Sequence, residues 1–173
     1  MTISMYQAAV QPFVQQLGAL SALLAKAEAH ALAKKFDPAV LLSLRLAPDM
    51  LPLSRQVQIA CDFAKSATAR LAGAEVPNGK DDERTLAELR GRIGKTLDYL
   101  RSFKADQIDG SEERDVAVTL AGKSVTFKGQ PYLIQFVLPN FYFHCTVTYA
   151  ILRHNGVELG KRDFMGSVPG LTA

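Results

Sequence analysis

The sequence is poor in cysteine and has no basic run. It holds two cysteines in 173 residues, Cys61 and Cys145, far apart and outside any spaced ligand motif. We expect both thiols to be small buried packing groups in a reducing compartment. The net charge of +3 comes from lysines and arginines spread among the acids, without a known nucleic-acid motif. Nucleic acid is therefore not an expected partner.

Long apolar stretches are missing as well. No window reaches about 18 uninterrupted apolar residues, the length of a membrane-spanning helix, so we expect no membrane span. The N-terminus lacks a basic region followed by an apolar core and a cleavage site, which argues against a signal peptide and favours the cytoplasm. The composition, 48% hydrophobic and 21% charged, is typical of a soluble globular protein, and the length suits one domain, residues 1–173.

Apolar residues recur at spacings of three and four in three stretches, which predicts three amphipathic helices. These helices cover residues 3–35, a stretch from about Asp49 or Leu51 to Ala72, and residues 86–103. Asp37 and Pro38 are typical of a helix start, so a short helical piece should follow the first helix.

The apolar spacing changes to two between Lys104 and Gln130, which predicts a β-hairpin around a tight turn at Ala121 and Gly122. After it we expect a short apolar helix from Pro131, a fourth long helix from Pro139 to Arg153, and an irregular tail over residues 157–173. The expected fold is mainly α: a four-helix bundle with a small hairpin inserted before the last helix.

The fourth helix, PNFYFHCTVTYAILR, is apolar on nearly every side, which favours a position in the middle of the core. Asn140, His144 and Thr148 follow one another at intervals of four, so they should form a polar ladder on one inward face. We expect Pro139 to separate this helix from the segment before it.

The second helix also carries an inward polar group. Gln56 lies in the middle of its apolar stripe, and Asp49, seven residues earlier, projects in nearly the same direction. A buried amide without partners costs a few kcal/mol, so another group must bond to Gln56.

A metal site at this ladder is not expected. Zinc or nickel usually takes three protein ligands, and beside His144 the sequence offers only Gln56 and Thr148, which are weak ligands for those metals. Cys145 projects about 100 degrees away from His144 around the helix. The favoured interpretation is a hydrogen-bonded histidine whose imidazole is shared among Gln56, Asn140 and Thr148.

Charged groups at the start of the second helix allow two interpretations. Arg45 and Arg55 flank Asp49, which would suit a pocket for an anion or carboxylate. The alternative, which we favour, is an ion-pair network that fixes the turn between Pro48 and Pro52.

Two further surfaces are visible in the sequence. The third helix has a charged outer side, interpreted as a solvated face: Arg90, Arg92, Lys95 and Asp98. On the fourth helix Tyr142, Tyr149 and Arg153 share the side opposite His144, which would suit either a subunit interface or packing against a neighbouring helix.

Three runs of this sequence carry a family resemblance. They are LRLAPDMLPLSRQVQIACDFAK (44–65), LAELRGRIGKTLDYL (86–100) and LPNFYFHCTVTYAILRHNG (138–156), followed by GKRDF (160–164). Together they resemble a bacterial domain-of-unknown-function family of the DinB/YfiT-like superfamily. The resemblance covers nearly the whole chain.

The resemblance implies an up-down-down-up four-helix bundle that is often dimeric. Better-known superfamily members bind a divalent metal through one histidine on the second helix and an H-x-x-x-H pair on the last helix, and some transfer low-molecular-weight thiols. The first histidine of that pair falls on His144, the second on Thr148, and the second-helix ligand on Gln56. One of three ligands therefore remains.

These observations lead to two functional hypotheses. The first is a cytoplasmic homodimer that binds or senses an unidentified small molecule in a polar pocket around Gln56, His144 and Thr148, without a metal cofactor. The second is a metal-dependent transferase or hydrolase in which His144 binds zinc or nickel and Asp49 or Glu28 replaces a lost histidine.

Overall fold

The computed structural model describes residues 3–171 as a helical bundle with one hairpin. In chain order its elements are α1 (Met5–Ala33), a 3-10 helix (Pro38–Ser43), α2 (Leu53–Ala72), α3 (Leu86–Arg101), α4 (Ala105–Ile108), β1 (Asp115–Leu120), β2 (Lys123–Lys128), α5 (Gly129–Pro131), a π-helix (Tyr132–Val137), α6 (Leu138–His154) and α7 (Lys161–Met165). The bundle consists of α1, α2, α3 and α6, as the sequence predicts.

Side-chain pairs fix the directions of the first three long helices. Glu28, near the end of α1, lies 3.7 Å from Arg90, near the start of α3, so these two helices run antiparallel. Gln58, in the first half of α2, donates to Glu83, which lies three residues before α3 begins, at 2.7 Å. Helices α2 and α3 therefore run in the same direction.

Helix α6 returns along α2 in the opposite direction. Arg70, near the end of α2, donates to the Tyr132 hydroxyl ahead of α6 at 3.0 Å, whereas Gln56, near the start of α2, contacts His144 within α6 at 2.7 Å. The order is thus up-down-down-up, as the resemblance implies.

Helix α1 supplies the longest stripe of the core. Its inward side chains are almost completely buried, among them Phe13, whose ring meets that of Phe141 on α6 edge to face at 4.9 Å. By length and composition α1 could cross a membrane, but half of its most apolar window is buried inside the protein, as in the core helix of a soluble bundle. Serine and glutamine cap its start, because Ser4 and Gln7 form a reciprocal capping box.

The hairpin has the register that the alternation predicts. Strands β1 and β2 pair antiparallel, with Val118 opposite Val125. Ala121 and Gly122 both have positive φ angles, 48° and 78°, which is the conformation of a type I′ turn. The predicted turn is confirmed.

The prediction that Pro139 separates two helices is wrong. Helices α5 and α6 and the π-helix form one continuous helical segment, and Leu138 donates its N–H to the Leu133 carbonyl five residues earlier. Pro139 has no N–H to donate, and the wider π turn ahead of it accommodates its ring without ending the helix.

Helix α6 is also less enclosed than its composition suggests. Phe143 is 53% exposed and Tyr142 37%, so one side of the helix faces solvent. The tail is not wholly irregular, since α7 folds back and Phe164 packs edge to face on Tyr149 at 5.8 Å. Packing within the chain therefore covers part of the face considered for a subunit interface. Residues 172 and 173 of the predicted tail lie outside the described residues.

Candidate functional site

The central polar contact of the bundle joins Gln56 of α2 to His144 of α6. The side-chain oxygen Oε1 of Gln56 lies 2.7 Å from Nδ1 of His144. Gln56 is 1% exposed, and its amide nitrogen Nε2 donates to the Leu51 carbonyl oxygen at 3.0 Å. Both ends of the buried amide are thus bonded, as its position in the apolar stripe requires.

This arrangement fixes the tautomer of the imidazole. Because Nε2 of Gln56 donates to Leu51, Oε1 is the atom that faces His144, and an amide oxygen can only accept. Nδ1 of His144 therefore carries the proton, and in the neutral ring Nε2 has a free lone pair. Nε2 bonds to no other group within residues 3–171 and is not sealed from solvent.

Aromatic rings surround the imidazole. Phe63 of α2 stacks on it with ring centres 5.9 Å apart and an interplanar angle of 23°, and Phe143 meets it edge to face at 5.3 Å. Partial burial lowers the pKa of His144 from its ordinary value of 6.5. The ring is consequently neutral at pH 7, with Nε2 available as an acceptor or base.

The other two members of the predicted ladder do not share the imidazole. Thr148 is fully buried and its hydroxyl donates to the His144 carbonyl at 2.9 Å. Asn140 is partly buried, and its amide nitrogen donates to the Phe136 carbonyl at 2.7 Å. Both side chains bond to the helix backbone one turn earlier, so only Gln56 contacts the ring itself.

The residues at this position do not fit a metal site of the superfamily type. Of the three superfamily ligand positions, Gln56 uses both its amide atoms for Leu51 and His144, and Thr148 uses its hydroxyl proton for the backbone. Within the described chain there is no group of three histidine, cysteine, aspartate or glutamate side chains that could hold a metal ion. His144 Nε2 is the one superfamily ligand atom that is still free to coordinate.

Asp49 does not join this site. Helix α2 starts at Leu53, later than the sequence suggests, and Asp49 lies exposed in the turn before it. The Leu53 N–H bonds to the Leu44 carbonyl at 2.8 Å, and the Arg45 guanidinium donates to the Met50 carbonyl. Backbone acceptors therefore hold the turn. Within residues 3–171 Asp49 forms no ion pair with Arg45 or Arg55, so the expected ion-pair network is not seen there.

Arg55 belongs to a different polar cluster, centred on Arg92 of α3. Arg55 pairs with Asp81 in the loop between α2 and α3 and donates to Gln58 at 2.7 Å. Gln58 in turn donates to Glu83 at 2.7 Å.

The Arg92 side chain, interpreted from the sequence as solvated, is only 10% exposed. It contacts Asp62 at 2.8 Å, Asp81 at 2.9 Å and Glu83 at 3.0 Å, and donates to the Lys80 carbonyl at 2.9 Å. We call these residues, with Arg55 and Gln58, the Arg92 network. The signal for it in the sequence is the acidic run at residues 81–83, next to Thr85 and Glu88, which form the capping box of α3.

Hydrogen bonds and charges in the Arg92 network lower the pKa values of two acids in the loop, Asp81 and Glu83. Partial burial would raise the pKa of Asp81, but hydrogen bonds and charges of Arg55 and Arg92 outweigh burial and lower that pKa from 3.8. Burial acts in the same way on Glu83, and the bonds from Arg92 and Gln58 lower its pKa from 4.5. Both acids remain ionised in the folded protein at pH values that would begin to protonate them in the unfolded chain.

The cysteines are buried packing groups, as expected. Burial raises the pKa of the Cys61 thiol to about 12 and also raises that of Cys145. Neither thiol is ionised near pH 7, so neither acts as a nucleophile. Cys61 is buried because α2 packs against the other three long helices of the bundle and against α4.

Comparison with known proteins identifies a family and a similar solved structure. Residues 5–165 match the model of the family described as Domain of unknown function (DUF1993). The crystal structure of a DinB family member protein from Shewanella denitrificans is similar to this chain, with a TM-score of 0.86 and 44% sequence identity over 97% of this chain and 95% of that one. No curated protein matches the chain.

We expect Gln56→Leu to destabilise the protein far more than Arg90→Ala. The first change places an apolar side chain at a buried polar position and leaves Nδ1 of His144 and the Leu51 carbonyl without their protein partner, at up to about 1–3 kcal/mol per group. The second removes an exposed ion pair worth less than about 1 kcal/mol. Urea denaturation of the two variants measures the difference, and equal midpoints would contradict the structural role of Gln56.

We also expect Arg92→Ala to cost about 3 kcal/mol, because it leaves carboxylates in a partly buried cluster without their cation. Arg101→Ala is the matched control, since the Arg101 side chain is 60% exposed and its pair with Asp98 spans 3.9 Å.

The pH dependence tests the same cluster. Because the pKa values of Asp81 and Glu83 are lowered on folding, their stabilising effect is present above the unfolded values of 3.8 and 4.5 and is lost as the pH falls below them. Unfolding free energies measured between pH 6 and pH 3 should therefore fall less steeply in Arg92→Ala than in the wild type. Parallel curves would show that Arg92 does not set these pKa values.

Proposed function

The chain belongs to the DUF1993 family, a DinB-like family of unknown function, and from that premise we propose that it binds a small molecule at His144 without a metal ion. The family resemblance found in the sequence is thereby confirmed. The observation that carries the proposal is the bond between Gln56 and Nδ1 of His144, which leaves Nε2 of a neutral imidazole as the free atom of the site.

The chemistry of the site favours a ligand that donates hydrogen bonds. Nε2 of His144 is an acceptor, and Oδ1 of Asn140, one turn earlier on the same face, is a second acceptor that makes no bond within residues 3–171. The Phe63 and Phe143 rings supply apolar surface beside them. The ligand that these groups match is a small molecule with an N–H or O–H donor on an aromatic or aliphatic body.

The donor set supports a metal-free site over the metal-dependent transferase or hydrolase. In the alternative, Asp49 or Glu28 would have to replace a histidine ligand. Asp49 lies exposed in the turn before α2, and Glu28 of α1 pairs with Arg90 of α3. Neither carboxylate is bonded to the pair formed by Gln56 and His144.

We expect ¹⁵N-histidine NMR to report ligand binding at this ring. Benzyl alcohol and benzylamine are suitable probes, because each joins an aromatic body to a donor, and toluene is the control without a donor. Both donor probes should shift the Nε2 resonance of His144, while toluene should not. The resonances of His154, at the exposed end of α6, should stay unchanged. A toluene effect as large as that of the alcohol would rule out recognition through Nε2.

Metal analysis decides between the two functional classes. Untagged protein is incubated with zinc or nickel, freed of excess metal and analysed by mass spectrometry beside His144→Ala. We expect both proteins to retain much less than one metal ion per chain. One ion per wild-type chain that is lost in His144→Ala would replace the present proposal with the metal-dependent one.

We further propose that the protein acts in the cytoplasm, as the lack of a signal-peptide pattern suggests, and as a homodimer, as the family resemblance implies. Exposed apolar side chains next to the site support an interface there: Phe143 is 53% exposed and touches the imidazole, and Leu51, which is 43% exposed, holds Gln56 through its carbonyl. Light scattering should give twice the mass of one chain, and Phe143→Glu should halve it. A monomeric wild type, or a dimer unaffected by Phe143→Glu, would refute this interface.

A further inference from the structure

A groove with a volume of about 950 Å³ lies between α3 and the loop that precedes it. It is lined on one side by loop residues 77–80 and 82–84 and on the other by Gly91, Arg92, Lys95, Thr96 and Tyr99 of α3, and Lys65 of α2 also lines it. His144 does not line this groove. It is a separate site, and nothing in the proposed function uses it.

Positive charge predominates among the lining side chains, and part of it is already neutralised. Arg92 pairs with Asp62, Asp81 and Glu83, and Lys65 lies 3.2 Å from Asp62. Lys80, Arg84 and Lys95 also line the groove, and their side chains form no ion pair within the described part of the chain. Three cationic groups therefore remain available to a ligand.

The acids that line the groove compensate part of this charge, but not all of it. Glu83 is bonded to Arg92 and Gln58, and Glu88 accepts the backbone N–H groups of Arg84 and Thr85 in the capping box. Asp82 is the remaining lining acid. Two carboxylates, Asp82 and Glu88, therefore stand against the three cations without an ion pair, because accepting backbone N–H groups does not neutralise Glu88. One positive charge remains in excess.

The groove is held open by the Arg92 network and by a glycine. Arg92 donates to the Lys80 carbonyl and to Glu83, which ties the loop to α3 and fixes the wall of the groove. On the facing helix Gly91 contributes no side chain, and a Cβ atom built there would meet no atom within 4 Å. A larger side chain at residue 91 would consequently extend into the open space of the groove.

We propose that this groove binds a compact polyanion through Lys80, Arg84 and Lys95. Lysine and arginine bind phosphate and carboxylate groups by the same charge-assisted hydrogen bonds, so the shared chemistry is a small molecule with two or more oxyanion groups. Tyr99 lies on the same wall and offers a hydroxyl group to it. Arg92 is a positioning residue here, because its charge is neutralised by Asp62, Asp81 and Glu83.

Isothermal titration calorimetry of the full chain tests the proposal, with tripolyphosphate and citrate as separate probes. Sodium chloride at about 150 mM weakens diffuse attraction to scattered surface lysines. We expect saturable binding of one molecule per chain for at least one probe. Tighter binding of tripolyphosphate assigns the groove to phosphates, and tighter binding of citrate assigns it to carboxylates. Absence of saturable binding for both probes would overturn the proposal.

Matched variants locate the binding. Gly91→Gln fills the groove and Lys95→Gln removes one of its free cations, and each should weaken binding about tenfold or more. Gly94→Gln is the control for the first, since a Cβ at Gly94 also meets no atom within 4 Å but Gly94 does not line the groove. Lys123→Gln in the hairpin removes the same charge elsewhere. Equal weakening in a variant and its control would place binding outside the groove.

The histidine site is tested separately from the groove. His144→Ala should bind the polyanion as the wild type does, and the polyanion should leave the His144 nitrogen resonances unchanged. Loss of polyanion binding in His144→Ala would contradict the assignment to this groove. A failed search for ligands at His144 would leave the result for the groove unaffected.

Discussion

A polar group buried in a helical bundle must find its partners inside the bundle, and Gln56 meets this constraint by bonding in two directions. Its amide nitrogen donates to the Leu51 carbonyl at the start of α2, and its oxygen accepts from His144 of α6. The same amide thus joins the turn before α2, the helix itself and the facing helix. The tautomer of the imidazole follows from this bond, because an amide oxygen can only accept and Nδ1 must therefore donate.

The bundle has a second polar centre of a different kind. Arg92 gathers acids from α2 and from the connecting loop, and its side chain is nearly buried by them. In the pair formed by Gln56 and His144, one hydrogen bond determines which imidazole nitrogen carries the proton, and the ring is only partly buried. In the Arg92 network the charges largely neutralise one another, and their effect is to hold a loop of more than ten residues against α3. Of the two centres, only the histidine leaves a heteroatom free for chemistry.

Much of the fold, and part of the site, follows from the sequence. Local rules place the helices and the hairpin. The spacing of apolar residues and the capping box of Thr85 and Glu88 define helices, and the positive φ angles of Ala121 and Gly122 define the hairpin turn. The helical spacing also predicts that Gln56 and His144 lie on inward faces, and in the structure their side chains are 2.7 Å apart. The helices, the turn and the inward direction of each side chain depend on residues close together in the chain, so periodicity and turn chemistry determine them. The contact between Gln56 and His144 joins residues 88 apart, so packing of the helices determines it.

Other features were decided only when the elements packed together. Arg92 reads as one of several charges on an outer helix face, because its acidic partners lie 9 to 30 residues earlier in the chain. Asp49 leaves the site because α2 begins only at Leu53, and Pro139 stays within a helix because a π turn ahead of it makes room. The sequence by itself determined which faces of the helices are apolar and which polar side chains they carry inward. Tertiary structure decided which polar groups meet, since a hydrogen bond depends on distances that only the packed helices set.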